Sequence, residues 1–184
     1  ASIDQLHVER IDPRRLRGIA AAEDLSGHWR ASLDMLSILL DRWPEELGRL
    51  GMIDLADRRN RMLDHVARRW RETPPPGFVI AAGISSTAPA ICGVLRTVSR
   101  LPHGQVVFAE LDQHMGAEEW EAIGPFDPDP VIGFRRRAEE SHPQYALKRM
   151  LDRIGVARDE VTLWRWGGGH DARAARGKAL SNAM

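Results

Sequence analysis

The proline run Pro74-Pro75-Pro76-Gly77 divides the chain into two parts with different hydrophobic patterns. Three consecutive prolines end a helix that reaches them and favour extended backbone. Before the run, apolar residues recur at helical spacing, and after it they form short unbroken stretches. We therefore predict a helical subdomain over residues 1–73 and an α/β segment over residues 77–184.

Two helices are predicted before the proline run. Residues 24–49 carry leucines and tryptophans on one helical face, and Pro44 is expected to kink or break that helix. Residues 53–71 form the second helix, whose apolar side includes Leu55 and Met62 and whose opposite side is rich in arginine. Gly51 lies between them as a turn residue, so the simplest arrangement is an antiparallel helical pair.

A βαβ unit is predicted after the proline run. Residues 78–82 are typical of a strand buried on both faces. Residues 88–100 have helical periodicity, with Pro89 in the first turn. Residues 105–111 predict a second strand. This order predicts a parallel pair joined by a right-handed crossover. We also predict a short helix over 117–123, irregular structure over 124–141, a helix over 143–154, a third strand over 161–166 and a last helix over 171–181.

The composition excludes several classes of protein. The 184 residues contain 26 Lys plus Arg and 26 Asp plus Glu, so the formal net charge is zero. This balance argues against a strongly basic DNA-coating protein, but it does not exclude a local basic patch. Cys92 is the only cysteine, so no intrachain disulfide and no multi-cysteine metal site can form, and a cytoplasmic location is expected. No stretch approaches about 20 apolar residues, so we predict no transmembrane helix.

The loop after the first predicted strand is a candidate anion site. It contains Ser85, Ser86 and Thr87, and it opens a helix whose free N–H groups attract anions. The simpler interpretation is that Ser86 or Thr87 caps the helix. The loop lacks the lysine and spacing of a phosphate-binding Walker loop. Cys92 lies near the start of the same helix, where a thiol pKa can fall, although a buried structural cysteine is the favoured interpretation.

Leu111-Asp112-Gln113-His114 follows the second predicted strand and contains an acid, an amide and an imidazole. One hypothesis is therefore a small free-standing α/β enzyme, with an anion bound at Ser85 to Thr87 and with Asp112 or His114 as acid or base. The histidines have no metal-ligand spacing. We predict no metal site and assign no catalytic residue.

Two groups of arginines are candidate DNA contacts: Arg58, Arg59 and Arg61 on the second helix, and Arg135, Arg136 and Arg137 in the irregular segment. Arginines that contact phosphates give salt-dependent affinity for nucleic acid. The favoured alternative is a solvated helix face whose charges are paired at i,i+4. The expected pairs are Asp54 with Arg58, Asp57 with Arg61, and Asp64 with Arg68.

A series of short anchors along the chain resembles the double-strand-break repair protein AddB of the alphaproteobacterial type. The resemblance covers about residues 24–181. The anchors are Trp29, Trp43-Pro44, Arg58-Arg59-Asn60, Trp70, Val79-Ile80-Ala81-Ala82-Gly83, Leu101-Pro102, Gly104, Val106-Val107, Leu111-Asp112, Glu119-Trp120, Ile123, His142-Pro143-Gln144-Tyr145, Leu147-Lys148, Leu151-Asp152, Gly155-Val156 and Arg158.

AddB is the B subunit of an ATP-dependent helicase–nuclease. The resemblance implies that this chain is a piece of a longer protein, with a P-loop helicase-like α/β core and a partner subunit of the AddA type. The family's iron–sulfur cluster and its ATP and magnesium site would then lie outside this chain. Where the family loop resembles Gly-Ser-Thr-Gly-Ser, this chain has Gly83-Ile84-Ser85-Ser86-Thr87 and lacks the second glycine. The resemblance therefore implies a non-catalytic fragment that scaffolds its partner and DNA.

Overall fold

A computed structural model describes residues 3–12 and 27–163 of the chain. The predicted last helix over 171–181, residues 24–26 and residues 164–166 lie outside the described residues. The helices are α1 (Ile3–Glu9), α2 (Gly27–Leu50), α3 (Leu55–Glu72), α4 (Pro89–Val98), α5 (Ala117–Ala122) and α6 (Tyr145–Ile154), and the strands are β1 (Val79–Ala82) and β2 (Gly104–Val107). A 3₁₀ turn at Arg158–Glu160 follows α6.

The described part of the chain has a mixed α/β fold, and the predicted parallel βαβ unit is confirmed. β1 and β2 are parallel neighbours, with Val79 opposite Gly104 and Ala82 opposite Val107. The connecting helix α4 begins at Pro89, which occupies its first turn as predicted. A two-stranded sheet does not by itself define a P-loop helicase core.

The second strand is shorter than the predicted span of residues 105–111. β2 ends at Val107, and Glu110 has a left-handed backbone with φ of 64°. Residues 161–163, the described part of the predicted third strand, have no strand pairing. The predicted short helix over 117–123 and the irregular segment after it are confirmed by α5 and by the loop that leads to α6.

The main core lies between the sheet, α4 and α6. Leu95 and Cys92 on α4 pack with Met150 and Ile154 on α6, and each of these side chains is 1% exposed. Ala81 of β1, Val106 of β2 and Phe108 pack against the same cluster. Both helices therefore cover the same face of the sheet. A second cluster of Met115, Trp120, Ile123 and Leu151 joins α5 to α6.

Helix α3 packs on α4 and α1 through a face that only partly coincides with the predicted one, of which Ala56, Leu63, Val66 and Trp70 are partly buried. Its buried residues are Asn60 and Ala67, and the Asn60 Nδ2 donates to the His7 carbonyl at 2.7 Å. Leu55 and Met62, which we expected on the buried side, are 77% and 58% exposed. Because the Ala67 side chain is small, α3 can approach α4 closely at this position. The Thr97 Oγ1 of α4 donates a hydrogen bond to the Ala67 carbonyl at 3.5 Å.

Helix α2 differs from its prediction in two ways. It continues through Pro44 to Leu50, because a proline removes only its own N–H bond while the turns on either side keep theirs. The predicted antiparallel packing of α2 on α3 is not found, because α3 packs on α1 and α4 instead. The side chains of α2 and α3 meet where Trp43 Nε1 donates to Asp54 Oδ2 at 3.2 Å. Gly51, with φ of 64°, provides the predicted turn.

Contacts also cross the proline run and join the helical part of the chain to the α/β part. α3 packs along α4. The carboxylate of Glu9 on α1 lies 3.2 Å from the guanidinium groups of both Arg149 and Arg153 on α6. These contacts set the position of α3 relative to the sheet. Within residues 3–12 and 27–163, no helix combines the length and apolar character needed to cross a bilayer.

Candidate nucleic-acid interface

The exposed side of α3 is rich in arginine. Arg58, Arg61, Arg68 and Arg69 are all exposed, and we call them the arginine face. At about 100° per residue, Arg58 and Arg69 lie about 20° apart around the helix and about 16 Å apart along it. Arg59 is also exposed but lies about 100° around the helix from Arg58, on the flank of this face.

Only one of the three predicted i,i+4 ion pairs on α3 is present. Arg61 Nη2 lies 2.7 Å from Asp57 Oδ2, as expected. Asp64 instead binds Arg10 of the segment after α1, at 2.6 Å. Asp54 is engaged at the start of α3, so it does not pair with Arg58. Within the described ranges, Arg58 and Arg68 therefore have no carboxylate within ion-pair distance.

Asp54 is the N-cap of α3. Its Oδ1 accepts hydrogen bonds from the backbone N–H groups of Ala56 at 2.8 Å and Asp57 at 3.3 Å, and its Oδ2 accepts the Trp43 indole N–H. Partial burial acts to raise the pKa of Asp54, but these hydrogen bonds together outweigh it and lower the pKa below its ordinary value. The carboxylate is thus a helix cap, and Arg58 remains available to an external anion.

The second arginine group lies in the irregular segment between α5 and α6. Arg135, Arg136 and Arg137 are exposed, and the Arg136 guanidinium lies over the Phe126 ring at 4.7 Å. Asp129 holds a turn in this segment by accepting hydrogen bonds from the backbone N–H groups of Ile132 at 3.0 Å and Val131 at 2.8 Å. These two bonds lower the pKa of the Asp129 carboxyl group. In the part of the chain that the structure covers, no hydrogen bond or ion pair connects this group to the arginine face.

The structure places the candidate anion loop at the start of α4, where two of its oxygen atoms accept hydrogen bonds from within the protein. The Ser86 Oγ accepts the backbone N–H of Ala88 at 3.3 Å, and the Thr87 carbonyl accepts bonds from Cys92 Sγ and the Arg153 guanidinium. The N-cap residue is Ala88, so the prediction that Ser86 or Thr87 is the N-cap was wrong. Pro89 explains this, because its fixed φ starts the helix at that position. Ser85 is exposed beside them.

Cys92 is buried, as the favoured interpretation predicted. The side chain belongs to the main core, and burial raises the pKa of its thiol despite the nearby positive charges of Arg153, Arg149 and Arg96. Its position near the helix start does not make it a reactive thiolate. Cys92 is therefore a packing residue.

Asp112 and His114, the candidate acid and base, lie in a turn after β2. The Asp112 Oδ1 accepts the backbone N–H of His114 at 2.7 Å and of Met115 at 3.1 Å. The side chain of the buried Gln144 makes two hydrogen bonds to the same turn. Its Oε1 accepts the Asp112 N–H and its Nε2 donates to the Glu110 carbonyl, each at 2.9 Å. Within the described residues, His, Cys, Asp and Glu side chains form no group of three that could hold a metal ion.

Sequence reasoning missed a charged cluster around Trp120. Lys148 is buried and lies 5.4 Å from the centre of the Trp120 ring, and Arg158 lies 4.8 Å from the same ring. The ammonium group of Lys148 reaches Glu121 at 3.2 Å and Asp152 at 4.0 Å. A lysine on the apolar face of α6 was the available signal, since a buried cation requires a partner. The cluster ties α5 to α6.

Comparison with known proteins adds no relative: no protein-family model, no curated protein and no solved structure matches the chain. The likeness to AddB therefore depends on the sequence anchors alone. The arginine face is the feature of the described residues from which a function can be argued.

Proposed function

We propose that this chain is a non-catalytic part of an AddB-like subunit of an ATP-dependent helicase–nuclease, acting in double-strand-break repair and recombination. In this role it scaffolds an AddA-type partner subunit and contacts DNA. The family comes from the sequence anchors, and the DNA contact comes from the arginine face of α3. The observation that carries the proposal is that Arg58 and Arg68 are exposed while the carboxylates expected to pair with them bind elsewhere.

The dimensions of the arginine face suit a nucleic-acid backbone. Its span of about 16 Å between Arg58 and Arg69 matches about five phosphates of one strand along a duplex axis. A guanidinium group binds phosphate oxygens through paired N–H donors. Contacts of this kind fix the position of the DNA without reading its bases. We therefore propose binding that depends on salt and not on sequence.

Two of the groups that a free-standing α/β enzyme would use, those of Asp112 and Ser86, take part in backbone turns. The Asp112 carboxylate accepts the N–H groups of His114 and Met115, and the Ser86 hydroxyl accepts the N–H of Ala88. A carboxylate held in this way stabilises a turn, and the Ala88 N–H, one backbone donor at the proposed anion loop, is bonded to Ser86 Oγ. These contacts support a scaffold role over the enzyme hypothesis.

The test is a measurement of DNA affinity across a salt series. We expect the chain to bind single- or double-stranded DNA at low salt, with affinity falling as salt increases. The double variant Arg58→Ala, Arg69→Ala should reduce the slope of log affinity against log salt by about 2 on duplex DNA, because each lost phosphate contact removes about 0.9.

The matched control is the double variant Arg42→Ala, Arg49→Ala, which removes the same charge from the exposed surface of α2. It should leave the slope unchanged. Absence of DNA binding at low salt would remove the DNA role. An equal loss in both double variants would show that net charge, and not the arginine face, controls binding.

A separate assay tests the non-catalytic part of the proposal. The purified chain should neither hydrolyse ATP nor cut DNA. ATPase activity that a single substitution in these residues abolishes, for example Asp112→Asn, would contradict it.

A further inference from the structure

A turn in the segment between α5 and α6 presents apolar side chains to solvent. Val131, Ile132 and Phe134 are 89%, 72% and 69% exposed, and Val131 is the most exposed large apolar side chain of the described residues. We call these three residues the apolar tip. Surface turns are ordinarily polar, and a group of exposed apolar side chains at a turn marks a contact surface. The apolar tip is therefore a candidate docking site.

The turn that carries the apolar tip is closed by its own backbone. The Asp129 N–H donates to the Phe134 carbonyl, and the Gly133 N–H donates to the Asp129 carbonyl, each at 2.8 Å. Further along the segment, the Glu139 N–H donates at 2.9 Å to the carbonyl of Ile123, which is a core residue. These bonds hold the turn in a defined shape, so little conformational entropy is lost when a partner binds it.

The backbone donors of the turn are already used inside it. The Asp129 carboxylate accepts the N–H groups of Val131 and Ile132, and Pro130 has no N–H. Together with the two backbone bonds, this leaves every N–H from residue 129 to residue 133 either bonded or absent. A backbone in this state leaves water at a lower cost, because unpaired polar groups are expensive in an apolar medium. It also offers a phosphate no N–H donor at these positions.

Positive charge directly follows the apolar tip. Arg135, Arg136 and Arg137 are consecutive and exposed, and residues 126–138 hold these three arginines against two aspartates. An anionic lipid surface complements both features, because its acyl chains accept apolar side chains and its headgroups attract arginines. Nucleic acid fits less well, because Val131 and Ile132 have no aromatic face on which a base could stack.

We propose that the apolar tip and Arg135 to Arg137 form a peripheral docking site for an anionic lipid surface. The apolar tip enters the boundary between headgroups and acyl chains, and the arginines stay at the headgroups. Each arginine near such a surface strengthens binding about fivefold. The inference is independent of the proposed DNA contact, because it uses the segment between α5 and α6 and not the arginine face of α3.

Co-sedimentation of the intact chain with lipid vesicles, in the absence of DNA, tests the proposal. We expect binding to phosphatidylcholine vesicles that contain about 30% phosphatidylserine, and much weaker binding to pure phosphatidylcholine. The double variant Ile132→Ser, Phe134→Ser should lower the affinity for the anionic vesicles about 10-fold or more. The double variant Arg135→Ala, Arg137→Ala should also lower it about 10-fold or more, and it should reduce the preference for phosphatidylserine.

The matched control is the double variant Leu55→Ser, Phe78→Ser, which removes two side chains that are 77% and 82% exposed outside the turn. It should leave vesicle binding unchanged, and circular dichroism checks that each variant keeps its fold. Failure of the intact chain to bind anionic vesicles would overturn the proposal without reference to any variant. An equal loss in the control would also overturn it, because any exposed apolar group would then suffice.

A parallel measurement with duplex DNA separates the lipid surface from nucleic acid. We expect Ile132→Ser, Phe134→Ser to leave the affinity for DNA unchanged. A loss of DNA affinity in this variant, without a loss of vesicle binding, would assign the turn to a nucleic-acid site and would overturn the proposal.

Discussion

Helices α2 and α4 both carry apolar residues at helical spacing, but among the side chains that the structure describes only those of α4 form a buried face. Leu95 and Val98 of α4 are 1% exposed, whereas Leu39 and Trp43 on the apolar side of α2 are 44% and 42% exposed. The difference lies in their neighbours. α4 is packed by the sheet, by α6 and by α3, while no described helix or strand packs along α2.

The comparison shows that an apolar stripe determines which side of a helix can be buried but not whether it is buried. Burial contributes about 25 cal/mol per Å² only when apolar area is actually removed from water. A similar pattern therefore stabilises the protein by different amounts in the two helices.

Truncating a leucine in each helix gives the most direct test. Leu95→Ala should lower the free energy of unfolding by about 2–5 kcal/mol, because it leaves a cavity among fully buried side chains. Leu39→Ala, at a half-exposed position on α2, should change it by no more than about 0.5 kcal/mol. Both values can be measured by urea denaturation. A large loss in Leu39→Ala would mean that α2 is covered in solution, and the comparison would fail.

Glycine substitutions sharpen the comparison within the α/β part. A Cβ at Gly104 would lie 1.9 Å from the Val98 carbonyl oxygen, so Gly104→Ala should destabilise the protein by about 1–3 kcal/mol or more. The control Gly93→Ala adds a methyl group inside α4 with no atom within 4 Å. It should stabilise by about 0.5–1 kcal/mol through its helix propensity. Thermal denaturation distinguishes the two, and similar losses in both would contradict the packing at the start of β2.

The junction of α2 and α3 gives the smallest effect. Asp54→Ala should cost about 0.5–2 kcal/mol because it removes the N-cap of α3. Asp57→Ala, which removes an ion pair with Arg61 and an acidic side chain from the first turn of α3, should cost about 0.3–1 kcal/mol. Chemical denaturation of both variants at neutral pH checks the order. Equal losses would show that Asp54 does not act as a cap.

The same substitution has a defined pH dependence. Because the pKa of Asp54 is lower in the folded state, its charge contributes stability that is fully present above the unfolded pKa of about 3.9. That contribution is lost as the pH falls through the lower folded pKa. The wild-type protein should therefore lose more stability on acidification than Asp54→Ala does. Parallel pH profiles would contradict this assignment.

The candidate interface shows how far sequence spacing can predict charge pairing. The i,i+4 rule correctly predicted the Asp57–Arg61 pair but not the partners of Asp54 and Asp64. Asp54 is next to the helix start, where orphan N–H groups compete for its carboxylate. Asp64 is reached by Arg10, which is 54 residues away in the chain. The availability of Arg58 depends on these competing contacts, so spacing alone did not reveal it.

By itself the sequence determined the order and type of most of the described elements, although not helix α1, the 3₁₀ turn or the end of the chain at residues 161–163, and the tertiary structure decided which faces are covered. The proline run, Gly51 and Pro89 act on their own backbone and its nearest neighbours, so their effects could be predicted locally. The exposure of α2, the buried Gln144 beneath the Asp112 turn and the ion pairs of Glu9 depend on residues far apart in the chain. Such contacts form only after the crossovers have brought the elements together.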